Sequence, residues 1–205
     1  MKPGKELEIK LSVPSAEVLE QIAGDGLFDG GAERLLEQRS VYYDLPGLSD
    51  SRSASLRFRW ESGRGKVTLK LNGELKDGIF SRTEYETEAS SVEEGVALLR
   101  EKFGLGEFFD RAGTPVPGVC AEFLRTEKRI FAFGAEIELA LDRGWLGGAD
   151  NTFFEVEGEL ISGDGSALRL LESYLKEKYS LEPQPLSKRA RCELYRLLHK
   201  GLTAH

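Results

Sequence analysis

Glu6-Leu7-Glu8-Ile9-Lys10, close to the start of the chain, is the stretch on which the reading of the fold turns. In a β-strand successive side chains point to opposite faces. Glu6, Glu8 and Lys10 therefore share one face, while Leu7, Ile9 and Leu11 take the other. The apolar face needs a core. The polar face gathers two carboxylates and an ammonium within about 13 Å. Two carboxylates that close repel unless a cation lies between them, and a hard divalent metal is the usual solution. A lysine further along the same face can then hold an anion that the metal also touches. A strand face wetted by solvent shows the same alternation, so this stretch alone leaves both readings open.

The 205 residues are 40% hydrophobic and 31% charged, which suits one sizeable core and a single domain over 1–205. A net charge of −7 and a pI near 5.1 disfavour a nucleic-acid partner, so an anionic ligand must be captured by local concentrations of Lys and Arg. Cys120 and Cys192 lie far apart without metal-ligand spacing and are expected to be free thiols. The N-terminus runs into the first strand without an apolar leader, and no stretch reaches membrane-spanning length. The expectation is a soluble, cytoplasmic protein with no membrane partner.

Working outward, Pro14-Ser15 starts a predicted helix over 16–23, ended by Gly24 and Gly26. A strand over 35–43 closes at Asp44 and Pro46, and 47–55 is expected to be loop. Residues 56–60 and 66–71 flank a Gly63/Gly65 turn as a β-hairpin, with basic groups on one face and apolar groups on the other. Ile79 to Glu88 repeats the alternation with Arg82, Glu84, Glu86 and Glu88. Ser91 followed by Glu94 is a capping box and predicts a helix over 92–103. The Gly- and Pro-rich stretch 104–120 is expected to meander. Strands over 123–133, 135–142 and 153–160 follow, then helices over 167–179 and 186–200, separated by Pro183 and Pro185. No repeat of 20–50 residues is present.

Most strands thus carry mixed acids and bases on one face and aliphatic groups on the other. If they close into a barrel, helices can cover only the outside, so the apolar faces point outward and the charged faces inward. A flat sheet with one wet face would show the same alternation.

The motifs in this order resemble the CYTH superfamily, the triphosphate tunnel metalloenzymes. Glu6, Glu8 and Lys10 match its Glu-x-Glu-x-Lys strand. Leu56, Arg57 and Arg59 match Leu-Arg-x-Arg, Thr68 and Lys70 match Thr-x-Lys, and Arg82, Glu84 and Glu86 match Arg-x-Glu-x-Glu. Arg125 and Arg129, the run Glu138 to Gly144 with Asp142, Glu155-Val156-Glu157 and Ser187-Lys188 complete the set. Two departures stand out. Ala54-Ser55 precedes the Leu-Arg-x-Arg strand where the family usually has Gly. The last helix runs Lys188-Arg189-Ala190-Arg191-Cys192 instead of Lys-Ala-Arg-Gly, leaving open which of Arg189 and Arg191 faces the tunnel.

The resemblance implies an α+β, mainly β fold: a closed eight-stranded antiparallel β-barrel with a polar lumen and helices packed outside. It implies binding of a small-molecule triphosphate with Mg2+ or Mn2+ in the lumen of a monomer or homodimer. The run 137–144 is most like bacterial inorganic triphosphatases, so the expected activity is hydrolysis of tripolyphosphate to pyrophosphate and phosphate. A class IV adenylyl cyclase, a thiamine triphosphatase and a noncatalytic polyphosphate- or nucleotide-binding module are the alternatives on the same fold.

A triphosphate carries four or more negative charges, and only Lys and Arg stay charged enough to hold it, Arg bidentately. The expected substrate-binding set is Lys10, Arg57, Arg59, Lys70, Arg82, Arg125, Arg129 and Lys188, with a structural ion pair the alternative for Arg82 and Arg129. Lys188 also begins a helix, where backbone N–H groups favour phosphate. Glu6, Glu8, Glu155 and Glu157 are the expected metal ligands, with Glu138 and Asp142 next. The residues expected to carry catalysis are Glu6, Glu8, Lys10, Arg57, Arg59, Lys70, Glu84, Arg125, Asp142 and Lys188. Glu86, Glu88, Glu136 and Glu159 are expected counter-ions, and Lys66, His199 and His205 are expected to be solvated.

Overall fold

The computed structural model describes residues 4–29, 31–49, 53–76 and 78–199, with the side chains of Gly4 and Lys5 undescribed. Its centre is an antiparallel barrel in the spatial order β5-β4-β3-β2-β6-β7-β8-β1, closed by β1 against β5. The strands are β1 (Gly4–Ser12), β2 (Glu33–Asp44), β3 (Ala54–Glu61), β4 (Arg64–Lys76), β5 (Ile79–Glu88), β6 (Val116–Ala132), β7 (Ala135–Leu146) and β8 (Thr152–Ser162). The opening stretch makes the closure. Residues 4–8 of β1 pair with β5, and residues 8–12 pair with β8. A two-residue β9 (Glu182–Pro183) adds to β1 at Leu11 and Ser12.

Helices α1 (Ala16–Ala23), α2 (Val92–Phe103), α3 (Gly106–Ala112), α4 (Ser166–Tyr179) and α5 (Lys188–His199) pack around the barrel. Ser15 and Ser91 cap α1 and α2 by accepting from Val18 N at 3.4 Å and Glu94 N at 3.2 Å. The apolar faces of the strands point outward under the helices, as the alternation requires of a closed barrel. Ile9, Leu11, Ile137 and Leu139 lie under α1 and α4 with Leu168 and Leu171. Leu56, Phe58, Val67 and Leu69 lie under α2 and α3 with Leu99 and Phe109. At one barrel end, Cys192 of α5 packs with Tyr42, Ala121, Phe123 and Phe153.

Several boundaries differ from the sequence reading. The stretch 104–120 is not a meander: it forms α3 and the first turns of β6. A seven-residue helix is too short to stand on propensity. Burial of Phe109 and Ala112 in the α2 core fixes it, and local composition does not report that. Ala54 and Ser55 belong to β3, paired with Leu71 and Lys70. Helix α5 begins at Lys188 rather than Leu186, and Lys200 lies outside the described residues. Both cysteines are free, as expected, and the Cys192 thiol donates to the Cys120 carbonyl at 3.1 Å.

Gly95 is the closest approach of α2 to the barrel, where a Cβ would stand 2.1 Å from Val67 Cγ2. Overpacking of this kind costs about 1–3 kcal/mol. Gly95→Ala is therefore expected to lower the thermal midpoint by roughly 2–10 °C. An unchanged melting curve would show that α2 can move off β4 freely.

Candidate active site

Because the charged faces turn inward, the barrel encloses a cavity of about 740 Å³. Ten basic and ten acidic side chains line it, so the lining has no net charge to offset a polyanion. The two signs are not evenly mixed. On β3, Arg57 has no carboxylate partner among the described residues. Its Nη2 donates to Thr68 Oγ1 at 3.3 Å and its buried Nε is unpartnered. Arg59 makes only a long contact to Glu61, at 3.7 Å, and donates to Ser40 Oγ at 3.4 Å. Burial, then the neighbouring charges of Arg57 and Arg125, bring its guanidinium down to about 10. Arg125 is anchored from below by two 2.8 Å bonds to Asp142 and one to Glu157. Three guanidinium groups thus crowd one region of the lumen.

Carboxylates crowd the facing wall. Glu6 accepts from Lys70 Nζ at 2.8 and 2.9 Å and from Arg82 Nε at 2.7 Å. Burial raises its pKa, but Lys70 and Arg82 outweigh burial and hold it at about 2. Arg82 also donates to Glu8, and Lys10 pairs with Glu8 at 3.1 Å. Lys70 reaches Glu84 at 3.7 Å. Glu159, paired with Glu8 across β1 and β8, has no ion pair among the described residues. Burial, followed by the charges of Glu6, Glu84 and Glu8, pushes it up to about 8.

The floor is a separate constellation. Asp142, Glu155 and Glu157 bring carboxylate oxygens within 4.8 Å of one another, the tightest acidic group among the described residues. The Lys188 ammonium fills it, 2.8 Å from Asp142 and 2.8 Å from Glu157 and bonded also to Glu155. It lies over the rings of Phe123 and Phe153, at 5.2 and 5.5 Å. Burial lowers its pKa, but the three carboxylates reverse that and raise it. Arg191 closes on the other oxygen of Glu155, while Arg189 turns to the cavity edge and bonds Asp44 at 2.9 Å. Of the expected metal ligands, then, Asp142 and Glu155 lie behind the cavity wall and are occupied by cationic side chains. Glu6, Glu8 and Glu157 line the cavity.

The rim holds residues that the motifs missed or placed differently. Arg129 is exposed at the end of β6, 3.6 Å from Glu138, and does not line the cavity. Glu138 lines it and is raised by burial and by Glu127. Arg34 and Glu127 pair at the same mouth, where strand alternation from Arg125 would have found Glu127. Lys66 is not merely solvated: the tight turn starts β4 at Arg64, so Lys66 already faces inward, 3.3 Å from Glu86. Glu88 is exposed and makes no ion pair among the described residues. His199 is half-buried and stacks on Tyr195 at 4.0 Å, away from the cavity, while His205 lies outside the described residues.

The family model described as CYTH domain matches residues 4–192. This chain belongs to the CYTH family. The CYTH chain is 28% identical over 164 residues to the inorganic triphosphatase of Haemophilus influenzae, a match covering 78% of this chain and 46% of the relative. It therefore spans about half the length of the curated relative it matches. A candidate adenylyl cyclase from Hippeastrum with a dominant triphosphatase activity superposes with a TM-score of 0.70 at 24% identity, covering 93% of this chain and 96% of that one. A protein from Pyrococcus horikoshii superposes with a TM-score of 0.56 at 20% identity, covering 90% and 97%. A candidate adenylate cyclase from Bacillus halodurans gives 0.55 at 17%, covering 90% and 95%. These structural likenesses establish the barrel fold. Among the described residues no helix is long and apolar enough to cross a membrane.

Two expectations follow for the CYTH barrel. Removing one partner of a buried ion cluster costs about 3–5 kcal/mol, so Lys188→Met should lower the urea midpoint sharply, with Lys188→Arg recovering part of the loss. Equal stability of the Met variant would mean the floor carboxylates are solvated. Glu159 holds its proton more tightly folded than unfolded, where its pKa is 4.5. Its contribution is full below that value and lost as pH rises towards about 8. In chelator, the melting temperature should fall between about pH 5 and pH 8, and Glu159→Gln should flatten part of that slope.

Proposed function

We propose that this CYTH barrel hydrolyses inorganic triphosphate to pyrophosphate and phosphate with the help of Mg2+ or Mn2+. One observation carries the reading: in a lumen of balanced charge, Arg57 and Arg59 lack full carboxylate partners on one wall and Glu159 lacks a cation on the other. A polyanion satisfies the first wall and a divalent cation the second, and the two ligands satisfy each other.

The donor set fits a hard cation. Glu6, Glu8 and Glu159 offer only carboxylate oxygens, and Glu159 is raised by burial and by its like-charged neighbours, a condition that a bound cation would relieve. Glu84 and Glu157 flank them on the cavity wall. Such an ion supplies charge neutralisation at phosphoryl oxygens and ordering of the attacking water. The side chains do the rest. Arg57, Arg59 and Arg125 grip terminal phosphate oxygens and meet the charge that builds as the phosphoanhydride bond breaks. Lys10, Lys70 and Arg82 sit between the walls, already held by Glu6 and Glu8, and so need no reorganisation as the substrate binds. Lys188 acts through Asp142 and Glu157, which hold Arg125 in place. No serine, cysteine or histidine nucleophile is required, because water attacks.

The test is phosphate release from tripolyphosphate, ATP and thiamine triphosphate side by side with Mg2+ or Mn2+, with cyclic AMP measured in the ATP reaction. Tripolyphosphate should be consumed fastest, because every proposed contact addresses phosphate oxygens. Arg57→Ala and Arg59→Ala should each lower kcat/KM about ten- to hundredfold, the loss of a charge-assisted contact of about 1.5–3 kcal/mol. Glu6→Gln and Glu8→Gln should lose most metal-dependent turnover while staying folded. Dominant cyclic AMP would make the barrel a cyclase. Tripolyphosphate binding without phosphate release under either metal would make it a binding module.

A further inference from the structure

The three arginines of the lumen are held differently. Arg125 is locked by Asp142 and Glu157, and Arg57 has no carboxylate partner among the described residues. Arg59 has a loose one. That partner, Glu61 at the end of β3, also lines the cavity. Its carboxylate stands 3.7 Å from Arg59 Nη1 and 3.8 Å from Lys66 Nζ, both beyond hydrogen-bond length. Glu61 itself is well fixed. Across the β2–β3 pair, Gln38 donates from Nε2 to Glu61 Oε2 at 2.5 Å, and Gln38 is only 3% exposed. Gln38 thus holds the carboxylate short of Arg59. Among the described residues the Arg59 guanidinium has one further bond, from Nε to Ser40 Oγ at 3.4 Å, so little fixes it in place. Lys66 has a nearer carboxylate in Glu86, at 3.3 Å. Glu61 therefore sets a negative charge beside two cations without binding either closely.

We propose that Glu61 sets the release of product: it is the counter-ion to which Arg59 returns as pyrophosphate leaves. The role presupposes the hydrolysis proposed above. Pyrophosphate keeps most of the charge of tripolyphosphate, so arginines able to grip the substrate also retain the product. Tight product binding makes release the slow step of turnover. A carboxylate within reach of Arg59 competes with every polyanion in the lumen and so weakens that retention. Because its contact with Arg59 is long, it does so without closing the site to a triphosphate. Glu61 is a positioning residue, since it acts on the ligand through Arg59 and Lys66. The barrel does not need its charge. A glutamine at 61 keeps an acceptor for Gln38 Nε2 and offers an amide donor to Gln38 Oε1, which is buried without a partner.

Glu61→Gln removes the charge and little else, so it should melt at or above the wild-type temperature. Calorimetric titration of the full chain with pyrophosphate in Mg2+ should show binding about three- to tenfold tighter than wild type. With tripolyphosphate as substrate, KM should fall by a similar factor. Steady-state kcat should fall too, while the rate of a single turnover is kept. Gln38→Leu unpins the carboxylate, lets it close on Arg59 and should weaken pyrophosphate binding. Opposite shifts from two neighbouring substitutions are something a loosened fold does not produce. Pyrophosphate bound no more tightly by Glu61→Gln, an unchanged kcat in that variant, or tighter binding by Gln38→Leu would each overturn the proposal with the proposed hydrolysis intact. A wild-type chain that binds tripolyphosphate without cleaving it overturns the hydrolysis first, and the product-release role falls with it whatever the affinity for pyrophosphate.

Discussion

The structure depends on placing charge inside a barrel. A side chain that loses water must regain an equivalent interaction, so a charged lumen is stable only if nearly every ion finds a counter-ion. This barrel meets that demand through shared partners. Lys188 serves Asp142, Glu155 and Glu157, Lys70 serves Glu6 and Glu84, and Arg82 joins Glu6 to Glu8. Each cation bridges carboxylates on different strands or positions, so the networks also set barrel closure. Against that background the few incompletely matched groups stand out. Arg57, Arg59 and Glu159 are the places where the protein leaves its own charge balance unfinished, and they face one another across the cavity.

That distinction separates two acidic clusters that composition alone cannot tell apart. Asp142, Glu155 and Glu157 are the more compact, and proximity of carboxylates by itself would nominate them for a metal. Yet an ammonium already occupies their centre at hydrogen-bond distance. Glu6, Glu8 and Glu159 are less compact, and Glu159 has no ion pair among the described residues, whereas every carboxylate of the floor is bonded to Lys188. A cation is attracted by unsatisfied potential, not by the number of carboxylates. The floor cluster is better understood as the mount that keeps Arg125 pointed at the lumen.

Much of this was legible in the sequence, because strand alternation is a rigid rule once the inward face is known. The opening Glu-x-Glu-x-Lys placed Glu6, Glu8 and Lys10 inside, and the same parity placed Arg57, Arg59, Lys70, Arg82 and Arg125. Parity also put Arg129 on the inner face, but it cannot say where a strand leaves the barrel, and Arg129 lies past the cavity. Nor does it show who pairs with whom. That Lys188 fills the Asp142–Glu155–Glu157 cluster depends on α5 folding over the barrel end, a contact between residues more than 30 positions apart. Helix α3 was missed for a related reason, since its stability comes from Phe109 in a distant core.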